Sequence, residues 1–152
     1  MIRTAVMKDL ESVYSLLCGM EQKFFDKNAF ENIFNSQLKA DTMLSLIFEQ
    51  KNEVLGVLNL RMEYQLHHCA KIAEIMELSV KKGYRSKGIG RALLAVACQR
   101  AKDNDCIQIE VCCNKLRIEA HRFYEREGMH NFHYKFSMNL DGQVVTENKL
   151  GL

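Results

Sequence analysis

The sequence predicts a mixed α/β fold of the α+β kind, a mixed sheet covered by helices, and three observations carry it. Apolar spacing alternates between the helical and the strand period along the chain. The elements marked in this way follow the order β-α-α-β-β-β-α-β-α-β, with strands and helices interleaved. All of this fits in 152 residues without an internal repeat, low-complexity run or linker. Residues 1–152 are therefore expected to form a single domain with a real core.

Composition narrows the function classes. Hydrophobic residues are 47% and charged residues 26%, ordinary for a soluble globular protein. A formal net charge of +2 is too weak to argue for nucleic acid or a membrane surface. No apolar run approaches the ~20 residues of a membrane span, and the opening MIRTAVMKDL lacks the pattern of a signal peptide. Cys18, Cys69, Cys98, Cys106, Cys112 and Cys113 form no C-x-x-C pair and read as small buried thiols in a reducing cytosol. A cytoplasmic location is expected.

In order, residues 2–6 predict a short strand. Asp9 is placed to cap a helix reaching residue 20, with Leu10, Val13, Tyr14, Leu17 and Met20 as its buried stripe. A second helix is expected over 26–38, with Phe30, Ile33, Phe34 and Leu38 on one side. Phe24 and Phe25 sit at the join, as core packing or as the wall of a substrate pocket. Residues 42–48 and 54–62 read as antiparallel strands turned at Lys51-Asn52-Glu53, and Gly56 marks a bulge or a close backbone approach. A loop or strand end over 64–71 carries His67 and His68, whose adjacency is poor spacing for one metal, so no metal ligands are assigned. A long strand follows over 72–80, then a helix over 90–103. Residues 107–113 read as a central strand, 117–127 as a helix ended by Gly128, and 132–140 as a final strand. From Asp141 the tail reads as a hairpin remnant or a frayed end.

The chemistry concentrates between residues 72 and 102. Strand passes to helix through Arg85-Ser86-Lys87-Gly88-Ile89-Gly90-Arg91 without a spacer. Helix-start N–H groups are unpaired and carry the positive end of the helix dipole, and glycine lets a ligand approach the backbone. With three cations around it, this turn suits a phosphate, and a pyrophosphate better. It lacks the Gly-Lys-Ser/Thr ending of a Walker A loop and the three-glycine spacing of a dinucleotide fingerprint. The preceding strand carries Glu74 and Glu77, which face opposite sides unless a bulge intervenes. A carboxylate in a partly apolar cleft is a suitable general base. Tyr124, on the later helix, has a phenol whose reference pKa near ~10 suits protonation of a leaving thiolate.

Arg85-x-x-Gly88-x-Gly90, the strand Ala73-Glu74-Ile75 leading into it, and Ala120-His-Arg-Phe-Tyr124-x-x-x-Gly128-Met129 together resemble the GNAT superfamily of acetyl-CoA-dependent N-acetyltransferases. Within it the chain resembles the aminoalkylphosphonate N-acetyltransferases, through segments at 13–18, 25–30, 66–68, 74–78 and 114–124. Arg117 stands where the superfamily usually has an asparagine, and Asn114 lies earlier.

The resemblance implies a mostly antiparallel mixed sheet with splayed middle strands, flanked by about four helices. The turn from Arg85 to Arg91 would bind the CoA pyrophosphate. Leu78, Ser79 and Val80, with Asn114, would hold the pantetheine arm between strands that diverge around 78–80 and 109–113. Glu74 is the first choice to deprotonate the amine, directly or through water, and Glu77 the second. Tyr124 would protonate the CoA thiolate. Phe25, Arg61, His68, Arg117 and Lys135 are candidate contacts for a small amine acceptor, the basic ones for an anionic group such as a phosphonate. The narrower likeness leaves room for a divalent metal, for which the sequence shows no site. A homodimer paired through an exposed final strand is a further expectation. A peptide N-terminus, a polyamine or an antibiotic amine as acceptor, and a non-catalytic acetyl-CoA-binding regulator, stay open as alternatives.

Overall fold

The computed structural model describes residues 1–144. They belong to two compact units, Met1–Val111 and a second beginning at Cys112. The first contains β1 (Ile2–Thr4), α1 (Leu10–Glu21), α2 (Lys27–Lys39), β2 (Met43–Gln50), β3 (Glu53–Gln65), β4 (Ala70–Val80), α3 (Ile89–Asp103) and β5 (Cys106–Val111). The second contains α4 (Ile118–Arg126).

Five strands make one sheet in the order β1-β2-β3-β4-β5. The first three pairings are antiparallel, and β4 and β5 are parallel. A parallel pair needs a crossover, which α3 supplies. The β2–β3 hairpin turns on Lys51 and Asn52, both at positive φ, the twist that two-residue hairpins favour.

One sheet face packs on α1 and α2, where Ile47 and Val57 meet Val13, Leu16, Leu17 and Phe34. The other face meets α3. A Cβ on Gly56 would come within 3.0 Å of the Ile89 and Leu93 side chains, so the glycine marks a close helix approach; a bulge also lies beside it, opposite Phe48 and Glu49. Leu46, Leu58, Leu60, Ile75 and Leu93 are fully buried, each worth about 1.5–3 kcal/mol of transfer free energy. Such burial makes β3 and β4 a rigid base for polar groups between them.

Several expectations change. Asp9 precedes α1, but its side chain makes no capping bond; it accepts both guanidinium ends of Arg3 at 2.7 and 2.8 Å and the Val6 N–H. A charged fork outcompetes a single amide for a buried carboxylate. Asp26 does cap α2, accepting from the Ala29 N–H at 2.7 Å. The strand expected to be central, over 107–113, is instead the six-residue edge strand β5 and stops at Val111. Residues 132–140, expected as a strand, form no strand, so within the described residues nothing pairs outside β5. Their alternating apolar side chains, from Phe132 to Leu140, are exposed. The tail expected as a hairpin remnant makes a bend at Asp141 and Gly142, and its part beyond residue 144 lies outside the described residues. Cys69, between β3 and β4, and Cys112, just past β5, are exposed rather than buried thiols.

Candidate active site

The site begins at an opening in the sheet. Parallel pairing of β4 with β5 ends at Ile75 and Val111, while β4 continues to Val80 with β3 alone. The Lys81 N–H donates to the Leu55 carbonyl at 2.8 Å. The alternation of an antiparallel ladder then makes Ser79 exchange its bonds with Val57 and turns the backbone of Leu78 and Val80 towards the open edge. The Val80 carbonyl accepts from Arg85 Nε at 3.1 Å. Ser79 is buried, and its hydroxyl donates to the Leu16 carbonyl.

Past β4, the chain crosses Gly83 at φ 88° and Ser86 at φ 60° and enters α3 at Gly88, φ 82°. Gly88 is the N-cap residue and no side chain caps the helix. The N–H groups of Ile89 and Gly90 therefore have no intrahelical acceptor. Ile89 is buried against the core and anchors the turn, whereas Arg85, Ser86 and Lys87 are exposed around it. The Lys87 ammonium stands 4.9 Å over the Tyr84 ring. Left-handed backbone, a bare helix start and exposed cations are a donor set that fits a pyrophosphate.

The two strand carboxylates share one face. Asn59 pairs with Glu77 and Leu60 with Ile75, so Met76 is an extra residue in β4. That bulge cancels the opposite-face alternation and sets Glu77 opposite Asn59 and Glu74 opposite Arg61. Both therefore lie on the α1 side. Glu74 accepts from Arg61 Nη2 at 2.7 Å, and Arg61 Nε lies 3.4 Å from Glu63. Glu77 accepts from the Asn59 amide at 2.9 Å, and Asn59 in turn accepts from the Ser45 hydroxyl at 2.6 Å. Burial pushes the Glu77 carboxyl above its usual range, the Asn59 hydrogen bond opposes this, and the charge of Glu21 adds to it.

In the second unit, Tyr124 is half-buried on α4. Burial, helped by Cys113 and opposed by Arg117, pushes its phenol up to about 12. The helix ends in a Schellman motif: Gly128 at φ 88°, its N–H on the Glu125 carbonyl, and the Met129 N–H on the Tyr124 carbonyl. Asn114 is engaged locally. Its side chain accepts from the Leu116 N–H, and its carbonyl takes the Arg117 N–H and His121 Nε2. Arg117 is the N-cap residue of α4. Lys135 is exposed in the segment after the helix.

The remaining acceptor candidates lie apart in the first unit. Phe25 packs against the α1–α2 core and stacks on Phe30 at 5.9 Å. His68 belongs to a single 3-10 turn, its ring 4.2 Å from that of His67. Among the described residues no three His, Cys, Asp or Glu side chains gather as a metal ion would need. An open cleft of about 450 Å³ is lined by Tyr14, Cys18, Gln22, Lys23, Phe24 and Lys27, among others, and contains neither strand carboxylate. Sequence reasoning missed Ser45 and Asn59. Their signal was a polar residue at an inward position of each of two apolar strands.

Residues 10–129 match the model of the acetyltransferase (GNAT) family. The chain belongs to that family. The acetyltransferase is 35% identical over 139 residues to the aminoalkylphosphonate N-acetyltransferase of Salmonella typhimurium, covering 91% of this chain and 90% of that one. Among solved structures it is similar to a transcriptional regulator from Bacillus halodurans C-125, with a TM-score of 0.85 and 26% identity over 92% of this chain and 99% of that chain. Glucosamine-6-phosphate N-acetyltransferase from Arabidopsis thaliana shares the fold, with a TM-score of 0.78 at 20% identity over 93% of this chain and 98% of that one. The protein is thus a GNAT N-acetyltransferase acting on an amine. None of its described helices is long and apolar enough to cross a membrane.

Proposed function

We propose that the enzyme moves the acetyl group of acetyl-CoA to the primary amine of a small anionic molecule, an aminoalkylphosphonate. The observation that carries this reading is the 35% identity, over nine-tenths of both chains, to an enzyme of that name. A second relative at 29% identity over 97 residues, a probable glucosamine 6-phosphate N-acetyltransferase from Drosophila melanogaster, is named for an acceptor that also joins an amine to a phosphorus oxyanion. We read both compact units as parts of one catalytic domain, which the family match over residues 10–129 supports.

In this reading the CoA pyrophosphate meets Arg85, Ser86, Lys87 and the backbone from Gly88 to Arg91. Pantetheine runs along the open edge of β4, pairing with the backbone at Leu78. Because Arg85 already takes the Val80 carbonyl, Val80 would contribute chiefly its N–H. Asn114, bonded within its own turn, is the weakest of the cofactor assignments. The base is Glu77 rather than Glu74. The Glu74 carboxylate is matched by the full charge of Arg61, whereas Glu77 has a neutral partner and an environment that favours taking a proton. The freed amine attacks the acetyl carbonyl, and the CoA thiolate leaves as Tyr124 donates its proton. A phenol with a raised pKa stays protonated until that thiolate forms. Positioning two bound reactants supplies much of the acceleration, and no acyl-enzyme is needed on Cys112 or Cys113.

A phosphonate needs cations. Arg61, already engaged by two carboxylates, is the weakest candidate; Lys135, exposed, and Arg117 are the others, with Phe25 and His68 as further contacts. A homodimer, paired through the exposed segment from Phe132 to Leu140, belongs to the same reading; a monomeric mass in light scattering at working concentration removes it.

The test is release of CoA thiol with a panel of amines: aminoalkylphosphonates, glucosamine 6-phosphate, a polyamine, an aminoglycoside and a peptide with a free N-terminus. The highest kcat/KM is expected with an aminoalkylphosphonate. Turnover of the peptide alone would overturn the acceptor assignment.

A further inference from the structure

Three polar side chains cross the α1 face of the sheet in one line: Ser45 on β2, Asn59 on β3 and Glu77 on β4. Ser45 is 5% and Asn59 3% exposed, beside fully buried Ile47 and Val57 on the same face. Polar groups are kept at such depth when they are hydrogen-bonded, and these two are bonded only as a chain. The Ser45 hydroxyl donates to Asn59 Oδ1 at 2.6 Å, and Asn59 Nδ2 donates to Glu77 Oε2 at 2.9 Å. A line built for stability alone could have ended on an apolar residue of β4. This one ends on a half-buried carboxylate, at the bulge where pairing with β5 has already ceased.

We propose that Asn59 and Ser45 are positioning residues that aim the Glu77 carboxylate and keep it hydrogen-bonded both before and after it takes a proton. The inference rests on the proposed role of Glu77 as base. An amide side chain has a donor end and an acceptor end, while a hydroxyl can do either. With Glu77 ionised, the line runs Ser45 to Asn59 to Glu77, as observed. When the acceptor's ammonium gives up a proton, its N–H bond breaks, the electron pair stays on nitrogen, and an O–H bond forms on Glu77. The Asn59 amide can then turn over, accepting from that O–H and donating to Ser45 Oγ. An Asn59 that could not donate would leave the ionised carboxylate without its bond. An Asn59 that could not accept would leave the proton without one.

The surroundings set the direction of the effect. Glu21, from α1, is the charged group acting on Glu77 and opposes its ionisation. β2 and β3 present only the neutral Ser45 and Asn59, and the next column on the same face is the Arg61–Glu74 ion pair. Asn59 therefore supplies the interaction that favours the ionised form against burial and Glu21.

The experiment pairs the pH profile of kcat/KM with a 13C NMR titration of the Glu77 carboxyl in the ligand-free protein. In Asn59→Leu both the acid limb and the NMR midpoint are expected to move up by ~1 pH unit, the size expected for loss of one hydrogen bond to a charged group, with KM for acetyl-CoA unchanged. Ser45→Ala, which leaves the amide in place but unanchored, is expected to shift both in the same direction by less. An unmoved Glu77 midpoint in Asn59→Leu overturns the inference, as does a moved midpoint with an unmoved acid limb. If Asn59→Leu does not fold, an unchanged midpoint in Ser45→Ala overturns it. Full turnover by Glu77→Gln would instead sink the base assignment, whatever the titration shows for Asn59.

Discussion

Two carboxylates three residues apart on β4 occupy the same sheet face and meet different partners. Glu74 stands opposite Arg61 and is bonded at 2.7 Å by a full positive charge. Glu77 stands opposite Asn59 and receives one neutral amide at 2.9 Å, with burial and Glu21 pressing it towards protonation. An ion pair of the first kind keeps a carboxylate occupied. A group of the second kind takes up a proton more readily than an ordinary carboxylate, as a general base must. Strand, residue type and sheet face are shared, so the difference lies in burial, in the charge of Glu21 and in the cross-strand partner. In the proposed mechanism the Glu77 column is catalytic and the Glu74 column holds the strands together.

The most severe way to break the comparison is Glu77→Gln. Loss of a general base is expected to lower kcat by ~10²–10⁴-fold, measured by thiol release at saturating acetyl-CoA. The same variant sharpens it through stability. A carboxyl whose folded pKa is raised stabilises the fold fully below its unfolded pKa, and that contribution is lost as pH rises through the folded value. Glu77 therefore weakens the fold at neutral pH, and Glu77→Gln is expected to raise Tm at pH 7 while matching the parent protein near pH 4. A lower Tm at pH 7 would contradict the raised pKa.

Next in size is Tyr124→Phe. Removing the proton donor is expected to lower kcat by ~10²-fold and to leave acetyl-CoA affinity, read by calorimetry, intact. An unchanged kcat takes Tyr124 out of the acid role. The smallest effect belongs to Glu74→Gln, which leaves Arg61 with Glu63 alone. Its kcat is expected to fall less than ~10-fold, with a loss of ~1 kcal/mol in denaturant unfolding for a half-buried pair. A collapse of kcat to the level of Glu77→Gln would reverse the assignment of the two columns.

Much of the architecture was legible from residue order. The helix and hairpin positions followed from local signals: Asp26 before α2, the Lys51-Asn52 turn, Gly88 and Gly128 at helix ends. The basic turn with its bare helix start was legible for the same reason, since its parts are neighbours in the chain. Asp9 was misjudged because its competing partner, Arg3, lies outside the helix it precedes. The strand at 107–113 was judged central from its apolar content alone, yet centrality depends on a neighbour that the described residues do not supply.

By itself the sequence determined the family, the order of elements, the anion-binding turn and the presence of two carboxylates before it. Only the tertiary structure decided what those carboxylates meet. One extra residue, Met76, turns Glu77 to the face of Glu74, and the register of three strands then gives it Asn59 and, behind that, Ser45. A bulge is a property of paired strands rather than of one strand's pattern. The environment that tunes a proton-accepting group is therefore fixed only when residues fourteen and eighteen positions apart are brought side by side.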